Sequence, residues 1–317
     1  MKLVKQIAIL LFTAAVFIAA DIFVWNLCTK RCLTDNDLSR QVRSIELDKY
    51  LPFDENSEIV KLRDSLPLQG ELPVIDGAEG LYPVYSAFVN AVYPESSVCF
   101  DGENFTPESK LQMRNTLKAY KAVADGNADI AICAAPSKEQ LEYAENVGAE
   151  LEFVPIGHDA FVFIVNSENP VDSLTREEIR GIYTGKYKRW SELGGKNVPI
   201  SALQRLEGSG SQTAFLRFMN GETPVRDYDS FPGSSIGFSF RFYVEGMRES
   251  SGIKMLALDG VYPDKESISA GKYPLAADFY AVYDKRNDNP NIPVLIEWFL
   301  SENGQRIIDE TGYVPIT

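Results

Sequence analysis

The chain has 317 residues, 45% of them hydrophobic and 24% charged, enough for one or two well-buried globular domains. Its 45 acidic against 31 basic residues give a formal charge of −14, and no basic stripe offers the clustered Lys and Arg that nucleic-acid binding rests on. One histidine, His158, and the scattered Cys28, Cys32, Cys99 and Cys133 have no metal-ligand spacing, so no metal or cofactor is expected and zinc and redox chemistry are disfavoured.

Lys2 and Lys5 precede an apolar run, Ile7 to Leu27, whose one charge is Asp21. As a helix rising about 1.5 Å per residue the run just spans a bilayer core, so the chain is expected outside the cytoplasm. The apolar residues beyond Asp21, with Trp25 suited to a membrane interface, favour a retained anchor. A cleaved signal peptide stays open, because residues 7–20 alone have signal length and Ala19-Ala20 is a small-residue exit. Residues 1–32 are read as signal peptide or transmembrane anchor, and the acidic, proline-punctuated residues 33–69 as a polar stalk.

From Leu72 the pattern is that of α/β units. "LPVID" reads as a short apolar strand, "GAEG" as a turn and "LYPVYSAFVNAVY" as an amphipathic helix. "SSVCF" with a helix around Leu111 to Ala124, then "ADIAICAAP" with the helix "KEQLEYAENVG", add two units and predict a parallel, wound sheet. "LEFVPIGHDAFVFIVN" follows, then a helix over 175–184 with Thr175 as its cap and Glu177 and Glu178 at its positive end. Phe238, Phe240 and Phe242 alternate like a strand with one buried face and Arg241 pointing outward. "KYPLAADFYAVYDK" reads as a strand pair and "IPVLIEWFLSENGQRIIDETG" as one long helix. Trp190 and Trp298 read as packing residues, and Cys99 and Cys133 as buried strand residues without a disulfide.

The segment "LQRLEGSGSQTAF" carries the chemistry. A Gly/Ser turn running into a helix exposes unpaired backbone N–H groups at the positive end of the helix dipole, and serine hydroxyls add donors. An arginine four residues before the first serine can close over an oxyanion as a fork. Arg205, Ser209, Gly210 and Ser211 therefore form a candidate oxyanion clamp, against the plainer reading of a strand-to-helix turn that is glycine-rich for geometry alone. Hydrolase chemistry fits worse: no Lys follows the glycines as a P-loop requires, the nucleophile elbow G-x-S-x-G is not met, and His158 sits beside a strand start. No catalytic residue is assigned.

"LPVIDGAEGLYPVYSAFVNAVYP", the segment from "ADIAICAAP" to "RWSELGG", "QRLEGSGSQTAF" and "YVPI" resemble, in matching order, the phosphate-binding substrate-binding proteins of ABC transporters. The resemblance covers most of residues 70–317. It implies a type 2 periplasmic-binding-protein fold: two α/β lobes joined by two crossover strands and closing on a ligand held at helix N-termini, preceded here by the N-terminal hydrophobic helix. The crossovers would lie near His158 to Val165 and Pro274 to Val282, dividing the chain into lobe 1 (70–159 and 274–317) and lobe 2 (160–273).

Carried over residue by residue, the second-lobe anion motif matches Arg205, Ser209, Gly210 and Ser211. The first-lobe motif departs: where relatives resemble D-G-S/A-T, this chain reads Asp76, Gly77, Ala78, Glu79, with a carboxylate in place of a hydroxyl. Glu79 either turns to solvent, accepts the proton of a protonated oxyanion, or meets a cationic group on a zwitterionic ligand. Asn115 and Thr116, preceding the second helix, are the nearest counterparts of the family's remaining first-lobe contacts. The resemblance implies a non-enzymatic, extracytoplasmic receptor for phosphate or a related oxyanion, serving an ABC-transporter permease and held to the membrane through its N-terminal helix. A tethered sensor of the same fold for another ligand, and a non-binding scaffold, stand as alternatives.

Overall fold

Strand β1 (Ile75–Gly77) is fully buried and leads through a 3-10 turn (Glu79–Leu81) into α1 (Tyr82–Val92). A Cβ at Gly77 would lie 2.6 Å from both the Ile132 carbonyl oxygen and Tyr85 Cε1, so only glycine lets the turn pack this closely on Ile132 and α1. The computed structural model describes residues 47–205, 207–225, 234–245 and 252–316. The N-terminal apolar run, and with it the signal or anchor reading, lies outside the described residues. Among the described residues no helix is long and apolar enough to cross a membrane.

The chain continues through α2 (Thr116–Ala124), β2 (Ile130–Ala134), α3 (Lys138–Asn146) and the 16-residue β3 (Leu151–Asn166). Then come β4 (Ser173–Leu174), α4 (Arg176–Tyr183), β5 (Ser201–Ala202), α5 (Gly210–Met219), β6 (Ser235–Phe240) and α6 (Arg241–Glu245). β7 (Ile253–Met255), β8 (Ala257–Leu258), α7 (Lys265–Ser269), β9 (Ala276–Asp284), α8 (Asn291–Phe299), α9 (Glu302–Thr311) and β10 (Val314–Pro315) complete it. Ser137 and Thr175 close reciprocal capping boxes with Gln140 and Glu178, which sets the starts of α3 and α4.

The main sheet runs β1-β2-β9-β3-β6-β5, with β7 and β10 also paired to β3. The expected parallel sheet is instead mixed: β1 with β2 and β5 with β6 are parallel, whereas β9 lies antiparallel to both β2 and β3. β9 returns from late in the chain and inserts between strands already laid down, a pairing that no local pattern announces. β3 pairs with β9 from Leu151 to Ala160 and with β6 from Phe161 to Val165, so a single strand passes from one lobe to the other. Two buried cores flank this passage. The first gathers Tyr82, Phe88, Ile130, Leu295 and Phe299, the second Phe163, Ile179, Tyr183, Trp190 and Phe215. This is the two-lobed α/β architecture that the resemblance implies.

Other expectations are corrected. "SSVCF" forms no strand; Lys110 and Gln112 take the edge of β1, through Ile75 N–H to the Lys110 carbonyl and Gln112 N–H to the Ile75 carbonyl, both 2.8 Å. Residues 97–110 are an excursion with one bridge between Phe100 and Phe105, and Cys99 is half-buried there while Cys133 is buried in β2. The predicted strand pair near 280 is the single strand β9. The predicted C-terminal helix breaks in two because Ser301 caps α9 and Gly304 packs against the Phe299 carbonyl, where a Cβ would stand 2.5 Å away. Phe242 leaves the strand for α6. The described part of the expected stalk is strapped to the first core by buried Tyr50 and Ile59, by Trp298 Nε1–H to Asp64 Oδ2 at 2.8 Å, and by Asn291 bridging Gln69.

Arg241, expected outward, is 4% exposed. It donates to the Gly312 carbonyl and to Glu245 Oε2 at 2.5 Å, and its Nε stands 3.7 Å from Asp159 Oδ1 on β3. Beside this cluster β3 carries a bulge between Pro155 and Gly157, where a Cβ would fall 2.4 Å from Phe279 Cζ. Gly157→Ala is expected to cost about 1–3 kcal/mol by overpacking, read as a lower urea midpoint. An unchanged midpoint would show that the Phe279 ring moves aside freely.

Candidate functional site

The clamp segment folds as a helix start. Ser209 has extended backbone and its Oγ accepts from Gln212 N–H at 3.2 Å, so α5 begins at Gly210. Gly208 takes φ +78°, the left-handed turn that brings the chain into this cap. The buried Gln212 side chain accepts from Arg205 N–H at 2.9 Å and donates to Gln204 Oε1 at 3.2 Å. Arg205 is thereby tethered, half-buried, to the first turn of α5. Ser211 is half-buried in the same turn.

Across the cleft, Asn115 is exposed and serves as the cap of α2, its Oδ1 accepting from Lys118 N–H at 3.0 Å. Thr116, the first residue of α2, is buried. A Cβ on Gly210 would lie 3.2 Å from Thr116 Oγ1, and one on Gly208 3.1 Å from Leu117 Cδ2. The starts of α2 and α5, one from each lobe, therefore meet. Two positive helix ends placed together repel unless an anion lies between them.

The first-lobe turn is built differently. Ala78 is buried and its N–H goes to the Ile132 carbonyl at 2.9 Å, while Gly77 N–H goes to Asp76 Oδ1 at 2.8 Å. Neither is left to face a ligand. Asp76 is buried beneath the turn and bound by Arg114, with Nη1 at 2.5 Å from Oδ2 and N–H at 3.1 Å from Oδ1. Burial raises the Asp76 carboxyl's pKa, and the Arg114 charge acts against that rise. Glu79 is half-buried at the start of the 3-10 turn. Its charge adds, after burial and the Asp76 carboxylate, to the causes that push up the Tyr85 phenol.

Sequence reasoning missed the far wall of the cleft. A cavity of about 280 Å³ opens from Gly210 along α5 to Ala214 and Arg217, faced by Ala134 and Ala135 at the end of β2 and by Asp278 and Tyr280 of β9. Gly210, Ala214 and Arg217 recur at helical spacing, the signal that could have assigned them to one face. Asp278 Oδ1 is 2.7 Å from His158 Nδ1 on β3, and the Tyr280 hydroxyl reaches Asp278 Oδ2 at 3.4 Å. Arg217 donates to the Pro136 carbonyl, a link between the lobes. Of the candidate residues, Gly210 alone lines this cavity.

A family model described as a PBP superfamily domain matches residues 75–303. The chain is 26% identical to the phosphate-binding protein PstS of Bacillus subtilis over 62% of its own length and 65% of that protein, just under two thirds of the relative. It is 25% identical to the phosphate-binding protein PstS of Borreliella burgdorferi, over 76% of this chain and 89% of the relative. A Clostridium perfringens structure with bound phosphate, described as a phosphate ABC transporter substrate-binding protein, superposes with a TM-score of 0.61 at 25% identity, covering 77% of this chain and 98% of that one.

Proposed function

The chain belongs to the PBP superfamily, and from that premise we propose that it is an extracytoplasmic solute-binding protein that captures phosphate or a closely related oxyanion for an ABC-transporter permease. The meeting of the α2 and α5 starts carries the reading, since an anion beside two positive helix ends would be attracted by both. Arg205 supplies the compensating charge, and Ser211, Gly210 and Thr116 border the anion from the two lobes. The likeness to proteins named for phosphate binding supports this choice of ligand. The work is capture rather than catalysis: a ligand that contacts both lobes stabilises the closed form, which a permease can distinguish from the open one. The N-terminal apolar run would keep the protein at the outer face of the cytoplasmic membrane.

Calorimetric titration of the ligand-free full-length chain with inorganic phosphate, at pH 5.5 and pH 8 in phosphate-free buffer, tests the reading. Binding is expected at both, and a weakening at pH 8, where the dianion dominates and brings a second charge toward the half-buried carboxylate at 79, would mark Glu79 as a neighbour of the anion. Absence of heat at both values from folded protein would overturn it.

A further inference from the structure

The cavity beyond Gly210 is larger than a bare tetrahedral anion needs. At about 280 Å³ it stands near the lower end of the roughly 300–1,000 Å³ typical of pockets for small organic molecules. The alanines at 134, 135 and 214 keep its walls low, and its polar equipment is of both signs. On the α5 side stands the Arg217 guanidinium, a five-donor group with one N–H on the Pro136 carbonyl. On the β9 side stands the half-buried Asp278 carboxylate, which holds one contact per oxygen, to His158 and to Tyr280. A carboxylate offers about four lone-pair sites, so Asp278 can accept a further N–H. Burial and then the Asp278 carboxylate raise the pKa of the Tyr280 phenol, and the Arg217 charge acts against that rise.

We propose that the ligand is a phosphorylated amino acid, its phosphate at the paired helix starts, its ammonium group on Asp278 and its carboxylate on Arg217. This deepens the oxyanion reading above and rests on it: Gly210 borders both the helix meeting and the cavity, so one molecule reaches both. A phosphate ion alone would leave the two opposed charges facing an unfilled space. A phosphate with an uncharged arm would cover the exposed Arg217 and the half-buried Asp278 while engaging neither, so their remaining donor and acceptor sites would lose water without gaining a ligand contact.

The test is calorimetry of the full-length chain with three probes: inorganic phosphate, ethyl phosphate and O-phosphoserine. O-phosphoserine is expected to bind roughly tenfold or more tighter than ethyl phosphate, the worth of a hydrogen-bonded charge contact. Asp278→Asn and Arg217→Gln should each shrink that ratio, while Asp278→Glu should restore part of it. Equal or weaker binding of O-phosphoserine, or a ratio indifferent to both substitutions, overturns the proposal while phosphate binding keeps the oxyanion reading standing. Failure of all three probes to bind overturns both.

Discussion

Arg205→Ala is expected to weaken phosphate binding about a hundredfold, the loss of roughly 3 kcal/mol when one partner of a desolvated charge pair is removed. Two helix ends remain in that variant, so weak residual binding with unchanged 1:1 stoichiometry is the expected titration. The size of the loss follows from what else is available. Gly77 and Ala78 have their N–H groups engaged within the first lobe, and the side chain at 79 is a carboxylate, so that lobe contributes chiefly the α2 end. The guanidinium of Arg205 then carries most of the charge compensation. An affinity within about threefold of the parent would show that Arg205 does not touch the anion.

The second large effect concerns stability against pH. Burial pushes the Asp159 carboxyl up from 3.8 to about 7, the Arg241 counter-ion opposing the rise without cancelling it. Between these values the folded chain holds a proton that the unfolded chain has released, so stability is greatest at the acid end of the window and falls as pH rises through it. From pH 5 to pH 8 the loss attributable to Asp159 is about 2–3 kcal/mol, levelling off above pH 8. Asp284, held down to about 2 by Arg286, acts in the opposite sense and only below its ordinary range. Urea unfolding at several pH values should therefore show the decline in the parent chain and a flatter profile in Asp159→Asn. The same slope in both would assign the titration elsewhere.

Legibility in the sequence followed locality. The Thr175 cap, the continuous apolar run of β3 and the Gly/Ser entry into α5 are set by neighbours within a few residues, and each stands close to where its pattern placed it. The candidate clamp is local in the same way: Arg205, Ser209, Gly210 and Ser211 share one helix start. What was hidden depends on partners far along the chain. The antiparallel insertion of β9 is a pairing across more than a hundred residues. Arg241 reads as a surface residue until Asp159 and the Gly312 carbonyl arrive to bury it. "SSVCF" has the composition of a strand but loses the edge of β1 to Lys110 and Gln112. Asp278 and Arg217, on different elements, share a cavity only after both lobes are in place.

The two cores also differ in when they can form. Among the described buried residues the second draws on the stretch from Ala160 to Tyr273, with only Val314 added from the C-terminal end. The first joins Tyr50 and Ile59 near one end to Phe299, Ile307 and Tyr313 near the other. A chain emerging N-terminus first can therefore close its later-encoded lobe while the earlier one still waits for β9 and α8 to be delivered. Until then β2 presents an unpaired edge beside unburied aromatics. The slow, aggregation-exposed phase of biogenesis belongs to the half that starts first and finishes last.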